Sequence, residues 1–329
     1  NKASRTLWKT MRRYIQYIII GILILALLTA PLFIPGYYLG LLILALIWGI
    51  FAMSLDVLMG YTGMPSLGHA AFFGVAAYTI GILDTRFLHI SALQIGIALC
   101  VTLVIAAFFG LLALRSRGVY FLMITLALSM VLWGLASNWQ SLTGGHDGLA
   151  GISRPVFAGL PVDLSRTSNF YYFVLLVFVV AVLLVYLIVR SPFGVALLGI
   201  KESETRMTAL GYNVWLLKYL SFVITGLFAG VAGILLAYYN GFAHPSLLGL
   251  DSSSKVLVMT ILGGPGTLFG PLGGAAVIVL LENVISAYTE RWQMILGAIY
   301  IAVIVCAPQG LYGPLGKSIR RLIRWNRLS

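Results

Sequence analysis

Residues able to do chemistry are few in this chain, and long apolar stretches separate most of them. Asp56 follows Leu55 late in one apolar run, Glu282 and Asn283 sit late in another, and His69 lies within Ser66-Leu67-Gly68-His69-Ala70-Ala71. An ionisable group at the centre of a bilayer costs roughly 2.5–3.5 kcal/mol even on a lenient insertion scale, so each one needs a reason. Asp56 and Glu282 can lie near a membrane surface, where water solvates them, or on an internal polar pathway. His69 has Pro65, Gly60, Gly63 and Gly68 as neighbours, a composition that breaks helices; it can bond a freed carbonyl or face a solute. Cys100 and Cys306 both fall in apolar runs without metal-ligand spacing, and are expected to be packing residues. The run Gly313-Pro314-Leu315-Gly316-Lys317-Ser318 looks like part of a phosphate-binding loop, but that motif needs Gly five positions before the Gly-Lys pair and position 311 is Leu. No Ser-His-Asp arrangement and no His/Cys/carboxylate cluster is present. The reading is therefore not an enzyme: no catalytic residue, no metal and no cofactor is expected, and any energy its action needs is expected from an ion gradient or from another subunit.

The elements that must position these residues are membrane helices. Of 329 residues, 60% are hydrophobic and 9% charged, and mean hydropathy is +1.01. A water-soluble domain carries about a quarter charged residues. Soluble enzymes, secreted disulfide scaffolds and nucleic-acid binders are excluded, despite 21 Lys+Arg against 9 Asp+Glu. Apolar stretches of about 20 residues, each long enough to cross a hydrocarbon core as a helix, recur along the chain. They predict spans near 14–35, 38–59, 64–83, 91–114, 118–138, 170–189, 217–239, a split pair at 253–263 and 268–287, and 291–308. The fold class is all-α and polytopic, with about 10 hydrophobic segments including one broken or re-entrant pair.

Lys and Arg collect in cytoplasmic loops because cationic segments resist translocation. With both termini in the cytoplasm, sixteen of the 21 basic residues fall inside: Lys2 to Arg13, Arg115 and Arg117, Arg190 to Lys218, and those after Gly316. The other five, Arg86, Arg154, Arg166, Lys255 and Arg291, fall outside. The predicted organisation is a basic N-terminus over 1–13, a transmembrane domain over 14–311 and a basic tail over 312–329, with an outer loop over 139–169. The run from Ile15 to Ile34 exceeds a signal-peptide core of about 7–15 residues, so it is read as a retained span. The chain opens on Asn1 rather than Met, and a few preceding residues are expected.

Glycines cluster at 60–74, 144–151, 226–233 and 263–274. Gly226-Leu227-Phe228-Ala229-Gly230-Val231-Ala232-Gly233 has the small-xxx-small spacing of closely packed membrane helices. Ile261 to Gly274 holds two prolines and too many glycines for one helix and is expected to turn between helix pieces. Leu67-Gly68-His69-Ala70-Ala71 and Leu272-Gly273-Gly274-Ala275-Ala276 resemble each other, either as an internal repeat or through the shared Gly, Ala and Leu bias. The pathway candidates are Ser66, Gly68 and His69 at the first break, Gly264 and Thr267 at the second, and Asn283.

The longest internal polar segment runs from Ser191 to Asn213. Ser191 can cap a helix, Pro192 suits its first position and Gly211 can end it, so one helix is predicted over 191–211. Glu202 and Arg206 are four apart in the favourable order, worth about 0.2–0.5 kcal/mol. Ala196, Ile200, Ser203, Met207 and Leu210 share one apolar face, which can rest on lipid headgroups or fit a partner's groove.

In order along the chain stand Gly60-Tyr61-Thr62-Gly63-Met64-Pro65-Ser66-Leu67-Gly68-His69-Ala70-Ala71-Phe72-Phe73-Gly74, Thr143-Gly144-Gly145-His146-Asp147-Gly148-Leu149, Ser191-Pro192-Phe193-Gly194 through Ala209-Leu210-Gly211, Gly263-Gly264-Pro265-Gly266-Thr267-Leu268 with Gly270-Pro271, and Pro308-Gln309-Gly310-Leu311 with Gly313. From Gly60 to Gly313 the chain resembles the larger permease type of the branched-chain amino-acid ABC importers. It departs from the family pattern at Pro65, and at Val195 and Leu198, where basic residues are expected. The resemblance implies a bacterial inner-membrane permease working with a second related permease, two ABC ATPase subunits and a soluble or lipid-anchored binding protein, in contact with lipid and with no nucleic acid. It implies that the 191–211 helix is the coupling helix, with Ser191, Pro192, Phe193, Gly194, Ala196, Ile200, Glu202, Glu204, Met207 and Gly211 at the ATPase contact. A charge at Ile200 or Met207 is then expected to uncouple transport. The resemblance implies a branched-chain or other hydrophobic amino acid as substrate; urea, amides and aromatic acids stay open within the same family.

The outer loop can be a packed cap over the span ends or a contact for the binding protein. An ion-coupled secondary transporter or passive channel is the rival class, and would be expected to carry deep ionisable groups. A subunit without a pathway has no use for non-helical backbone around Pro65 and Pro265.

Overall fold

A computed structural model of the chain describes residues 27–87, 90–156, 163–289 and 291–306. The basic N-terminus, most of the first expected span, the Pro308 to Gly313 motif and the basic tail lie outside the described residues. After a helical stretch over residues 27–33, α1 spans Gly36–Asp56 and runs on through a π-helical turn, Val57–Tyr61. It is followed by α2 (Ala70–Arg86), α3 (Ser91–Ala113), α4 (Val119–Asn138), α5 (Thr167–Arg190), α6 (Pro192–Glu202), α7 (Glu204–Ala209), α8 (Val214–Asn240), α9 (Leu250–Gly263), α10 (Gly270–Tyr288) and α11 (Trp292–Cys306). The protein is an all-α polytopic membrane protein. Six helices among the described residues, α1 with its π turn, α3, α4, α5, α8 and α10, are long and apolar enough to cross a membrane.

The span expected at 64–83 is corrected. Residues 62–69 are irregular and α2 begins only at Ala70. At 17 residues α2 is about 25 Å long, and the 14-residue α9 about 21 Å. Both fall short of a hydrocarbon core of about 30 Å; α2 follows irregular backbone and α9 follows a short 3-10 turn, Pro245–Leu248. That backbone is satisfied by protein, the condition under which it is tolerated at depth. Met64 N donates to Leu58 O (3.0 Å), Gly68 N to Ser66 Oγ (3.3 Å) and Ala70 N to Ser253 Oγ (3.4 Å). Before α9, Ser129 Oγ of α4 donates to Leu248 O at 2.7 Å.

α1 is the central element, with Ile43, Ile47, Ile50, Phe51, Met53 and Leu55 fully buried. α8 packs on it and on α2 and α3. The spacing read at Gly226, Gly230 and Gly233 does this work: an added Cβ would lie 2.9 Å from Ala106 Cβ, 2.8 Å from Thr102 Cγ2 and 2.0 Å from Phe73 O. Backbones meet where no side chain fits.

The helix ends sort onto two faces. One carries the ends of α2, α4 and α8, closed by a two-stranded antiparallel ladder, β1 (Leu149–Ala150) against β2 (Phe242–Ala243). Here Asp84 accepts from Gln94 Nε2 (2.9 Å) and Ser153 N (2.7 Å), and Arg154 Nη1 donates to Ser165 O (2.6 Å). The hydroxyl and amide of Ser165 both donate to Asp163 and hold its carboxyl below the usual carboxylate range. These bonds pack the described part of the 139–169 loop against the span ends. The opposite face carries the π turn, the α3–α4 turn and everything from Arg190 to Asn213. Among the described residues, Arg115, Arg117, Arg190, Lys201, Arg206 and Lys218 lie on this second face, and Arg86, Arg154, Arg166 and Arg291 on the first. Lys255, counted on the outer side at the start of the 253–263 segment, lies within α9, where it pairs with Glu282.

Candidate functional site

Two neighbouring features of the second face form the candidate site: the α6–α7 pair and the break between α9 and α10. Ser191 has extended dihedrals and its Oγ accepts from Gly194 N at 3.4 Å, with Pro192 at the first helical position. The single helix expected through Gly211 is interrupted. Ser203 is extended (φ −165°, ψ 107°) and caps α7 by accepting from Arg206 N at 3.3 Å. A short hydroxyl side chain competes for backbone donors in this way, so a cap prevails over continuation. Gly199 lets α7 fold back on α6, since an added Cβ would meet Met207 Sδ at 2.6 Å. Gly211 (φ +86°) ends α7 as expected.

The faces of this pair are the reverse of a simple docking stripe. Ala196, Leu197, Ile200 and Met207 are buried against the chain's own body, while Val195 (63% exposed), Leu198 (40%) and Leu210 (72%) point away. Gly194 turns tightly under α5, where an added Cβ would lie 2.1 Å from Val189 O. Phe193 is half-buried beside it. Glu204 pairs with Lys218 at the start of α8, and Lys201 Nζ donates to Gly60 O at 2.6 Å, tying the pair to the end of α1. Glu202 and Arg206 are 3.9 Å apart with side chains 76% and 71% exposed, a solvated pair worth little. A cleft of about 990 Å³ opens between residues 62–65, the α3–α4 turn and this pair, with Lys201, Glu202 and Glu204 on one wall and Arg117 and Phe121 among those opposite.

At the break, Gly264 (φ 103°, ψ 105°) and Gly266 (φ 82°) take conformations only glycine adopts readily, and Leu268 (φ 57°) is the one non-glycine with positive φ among the described residues. Thr267 Oγ1 donates to Gly264 O at 2.6 Å. The loop amides are met by Asp56, which is fully buried and accepts from Gly266 N (2.6 Å) and Leu268 N (3.3 Å). Neither solvation nor a place on an open pathway accounts for Asp56. Its carboxylate replaces the hydrogen bonds that the interrupted helix lost.

A family model described as "Branched-chain amino acid transport system / permease component" matches residues 37–305, from the start of α1 to the end of α11. The chain belongs to this family. The permease is 30% identical to the high-affinity branched-chain amino acid transport system permease protein LivM of Escherichia coli K12, over 82% of this chain and 68% of that one. It is 26% identical to LivH of the same organism, over 81% and 91%. It is also 26% identical to a probable LivH of Methanocaldococcus jannaschii, over 83% and 90%. No solved structure matches. The permease is a transporter subunit rather than an enzyme, and a multi-pass inner-membrane protein.

The structure divides the sequence-derived pathway residues of the permease into three groups. Ser66, Gly68 and His69 sit together in the irregular segment. His69 is fully buried, stacked on Phe51 (5.9 Å, 10°), edge-on to Phe72 (5.6 Å, 89°) and 3.1 Å from Ser54 Oγ. The ring is thus packed among these side chains, with Nδ1 buried and without a hydrogen-bond partner among the described residues. Gly264 and Thr267 form the second group, at the loop that meets the end of α1, since a Cβ on Gly60 would lie 2.3 Å from Gly266 N. Asn283 stands apart on α10, donating to Val279 O of its own helix at 2.8 Å. Beside it Glu282 pairs with Lys255, whose Nζ lies 4.3 Å over the Trp48 ring. Glu282 is thus held in a half-buried ion pair. Sequence reading missed Asp56 as a cap and the pairing of Lys255 with Glu282. The available signal was an acid as the one charge in the 21 residues of α1, and a lysine within a helix-length apolar stretch.

Proposed function

We propose that the permease forms, with a second related permease, the pathway by which a branched-chain or similar hydrophobic amino acid, delivered by a binding protein, crosses the inner membrane under the drive of two cytoplasmic ATPase subunits. The observation that carries this reading is the α6–α7 pair. One side of it is locked to the body through Ile200, Met207 and Lys201, and the other presents Val195 and Leu198 to a partner. A rigid knob of this kind transmits movement, which a chain without its own nucleotide site requires. The contact face is the exposed side, so the partner meets Val195, Leu198 and Glu202, while Ala196, Ile200 and Met207 act by holding the knob in place. The relatives' names supply the substrate class.

The face bearing α6 and α7 is assigned to the cytoplasm. Six described basic residues against four, added to the basic ends of the sequence, support that orientation. Ten segments with both termini inside, a transmembrane domain over 14–311 and basic ends over 1–13 and 312–329 complete the topology. Ion-coupled transport is disfavoured because Asp56 is held by two backbone amides and Lys255 by Glu282, leaving neither as an open ion site.

The test is purification of the permease from its native membrane, with copurifying subunits identified by mass spectrometry, for the wild type and three variants. Leu198→Asp is expected to keep the permease folded and to lose the ATPase subunits. Ile200→Asp is expected to lower the melting temperature first, because a charge then replaces a buried side chain. Retention of the ATPases at wild-type ratio by both Leu198→Asp and Val195→Asp overturns the assignment of the face. Uptake of leucine against urea by the reconstituted complex decides the substrate class.

A further inference from the structure

We propose that Asp56 is the positioning residue that passes movement of the α6–α7 pair to the break between α9 and α10. The inference rests on the reading of that pair as the ATPase contact and names the route by which its motion reaches the membrane. The contacts are direct at every step. Lys201, at the end of α6, donates to Gly60 O at 2.6 Å, and Gly63 lies against the Lys201 stem, where an added Cβ would be 3.1 Å from Cγ. Gly60 is in the π-helical turn Val57–Tyr61, a helical form that departs from regular geometry and recurs at functional positions. One turn back, Asp56 bonds Gly266 N and Leu268 N.

Gly60 is where the two halves of the route meet. A Cβ on it would lie 2.3 Å from Asp56 Oδ1 and 2.3 Å from Gly266 N, so the turn and the break share one close-packed contact. Displacement of the π turn by Lys201 therefore carries Asp56 and the loop amides with it. Charge-assisted hydrogen bonds are shorter and roughly twice as strong as neutral ones, which makes the carboxylate a stiff link across the contact. The break is the responsive part. Its glycines and the left-handed Leu268 leave α9 and α10 without a continuous helical ladder, so their relative angle is set by what holds the loop.

The decisive measurement uses the complete complex in proteoliposomes with binding protein and substrate, reading uptake and ATP hydrolysis together. Asp56→Asn keeps the shape of the side chain but turns an amide donor toward one loop N–H. It is expected to retain its ATPases and hydrolyse ATP while uptake per ATP falls about tenfold, within the range of known coupling perturbations. Lys201→Met, which keeps the stem and removes the donor, is expected to lower the same ratio, and the double variant to be no worse than the stronger single one. A purely structural role lowers uptake and hydrolysis together and leaves the ratio unchanged. An unchanged ratio in Asp56→Asn overturns the inference; where that variant fails to assemble, an unchanged ratio in Lys201→Met does so. Loss of the ATPases from the wild-type complex would instead remove the reading on which the inference rests.

Discussion

Gly233 and Gly134 are both glycines inside apolar helices, yet a methyl group has opposite consequences at the two. At Gly233 it meets Phe73 O at 2.0 Å, while at Gly134 nothing lies within 4 Å. Gly233→Ala is therefore expected to destabilise the isolated permease by about 1–3 kcal/mol through overpacking. Gly134→Ala is expected to be neutral or to stabilise by up to about 1 kcal/mol, since Ala is the better helix former. Melting temperatures in detergent distinguish the two. His69 follows the same logic. Its ring fills space between Phe51 and Phe72, so His69→Ala is expected to cost about 2–4 kcal/mol, as large-to-small core changes do. The KM for uptake by complexes that assemble is expected to stay at the wild-type value. A raised KM at unchanged melting temperature would return His69 to the pathway.

At the scale of elements, the interruptions carry the design. Ser203 splits what periodicity presents as one helix, and the split turns Met207 inward while leaving Leu210 exposed. Ser203→Ala is expected to fray α7 at a cost of about 1 kcal/mol, the usual worth of a serine cap. Faster amide exchange over residues 204–209, with exchange over α6 unchanged, is the signature. The break at 264–269 shows how two terms compete. Replacing Leu268 by Gly relieves a left-handed backbone worth about 1–2 kcal/mol. It also removes a buried side chain worth about 1.5–3 kcal/mol. Leu268→Gly is expected to be a net loss, read as a lower melting temperature.

For the whole molecule, the sorting of charge predicts sidedness. In a background with Cys100 and Cys306 replaced by Ser, Thr205→Cys is expected to react with impermeant maleimide only from the cytoplasm, and Asp147→Cys only from outside. Both positions are exposed on opposite faces. Labelling of both from one side would invert or collapse the topology.

Composition, run length and glycine spacing were enough to read a polytopic all-α membrane protein, most of its spans, the broken pair after Leu250 and the close approach of α8 to its neighbours. These are local or additive properties: apolar length sets a span, and small residues at intervals of three or four mark one helix face. The roles of single polar residues were not legible in the same way. Asp56 reads as a surface acid or a pathway acid until Gly266 and Leu268, more than two hundred positions later, are placed beside it. Lys255 reads as an outer-side cation at the start of a short segment until Glu282 and Trp48 are placed beside it. The outward face of α6 and α7 likewise depends on which side the rest of the chain covers, because periodicity finds an apolar face but does not say what buries it. The sequence by itself determined where the chain enters apolar surroundings; only the tertiary structure decided which polar groups are partners, since a hydrogen bond or ion pair belongs to two residues whose separation in the chain is unconstrained.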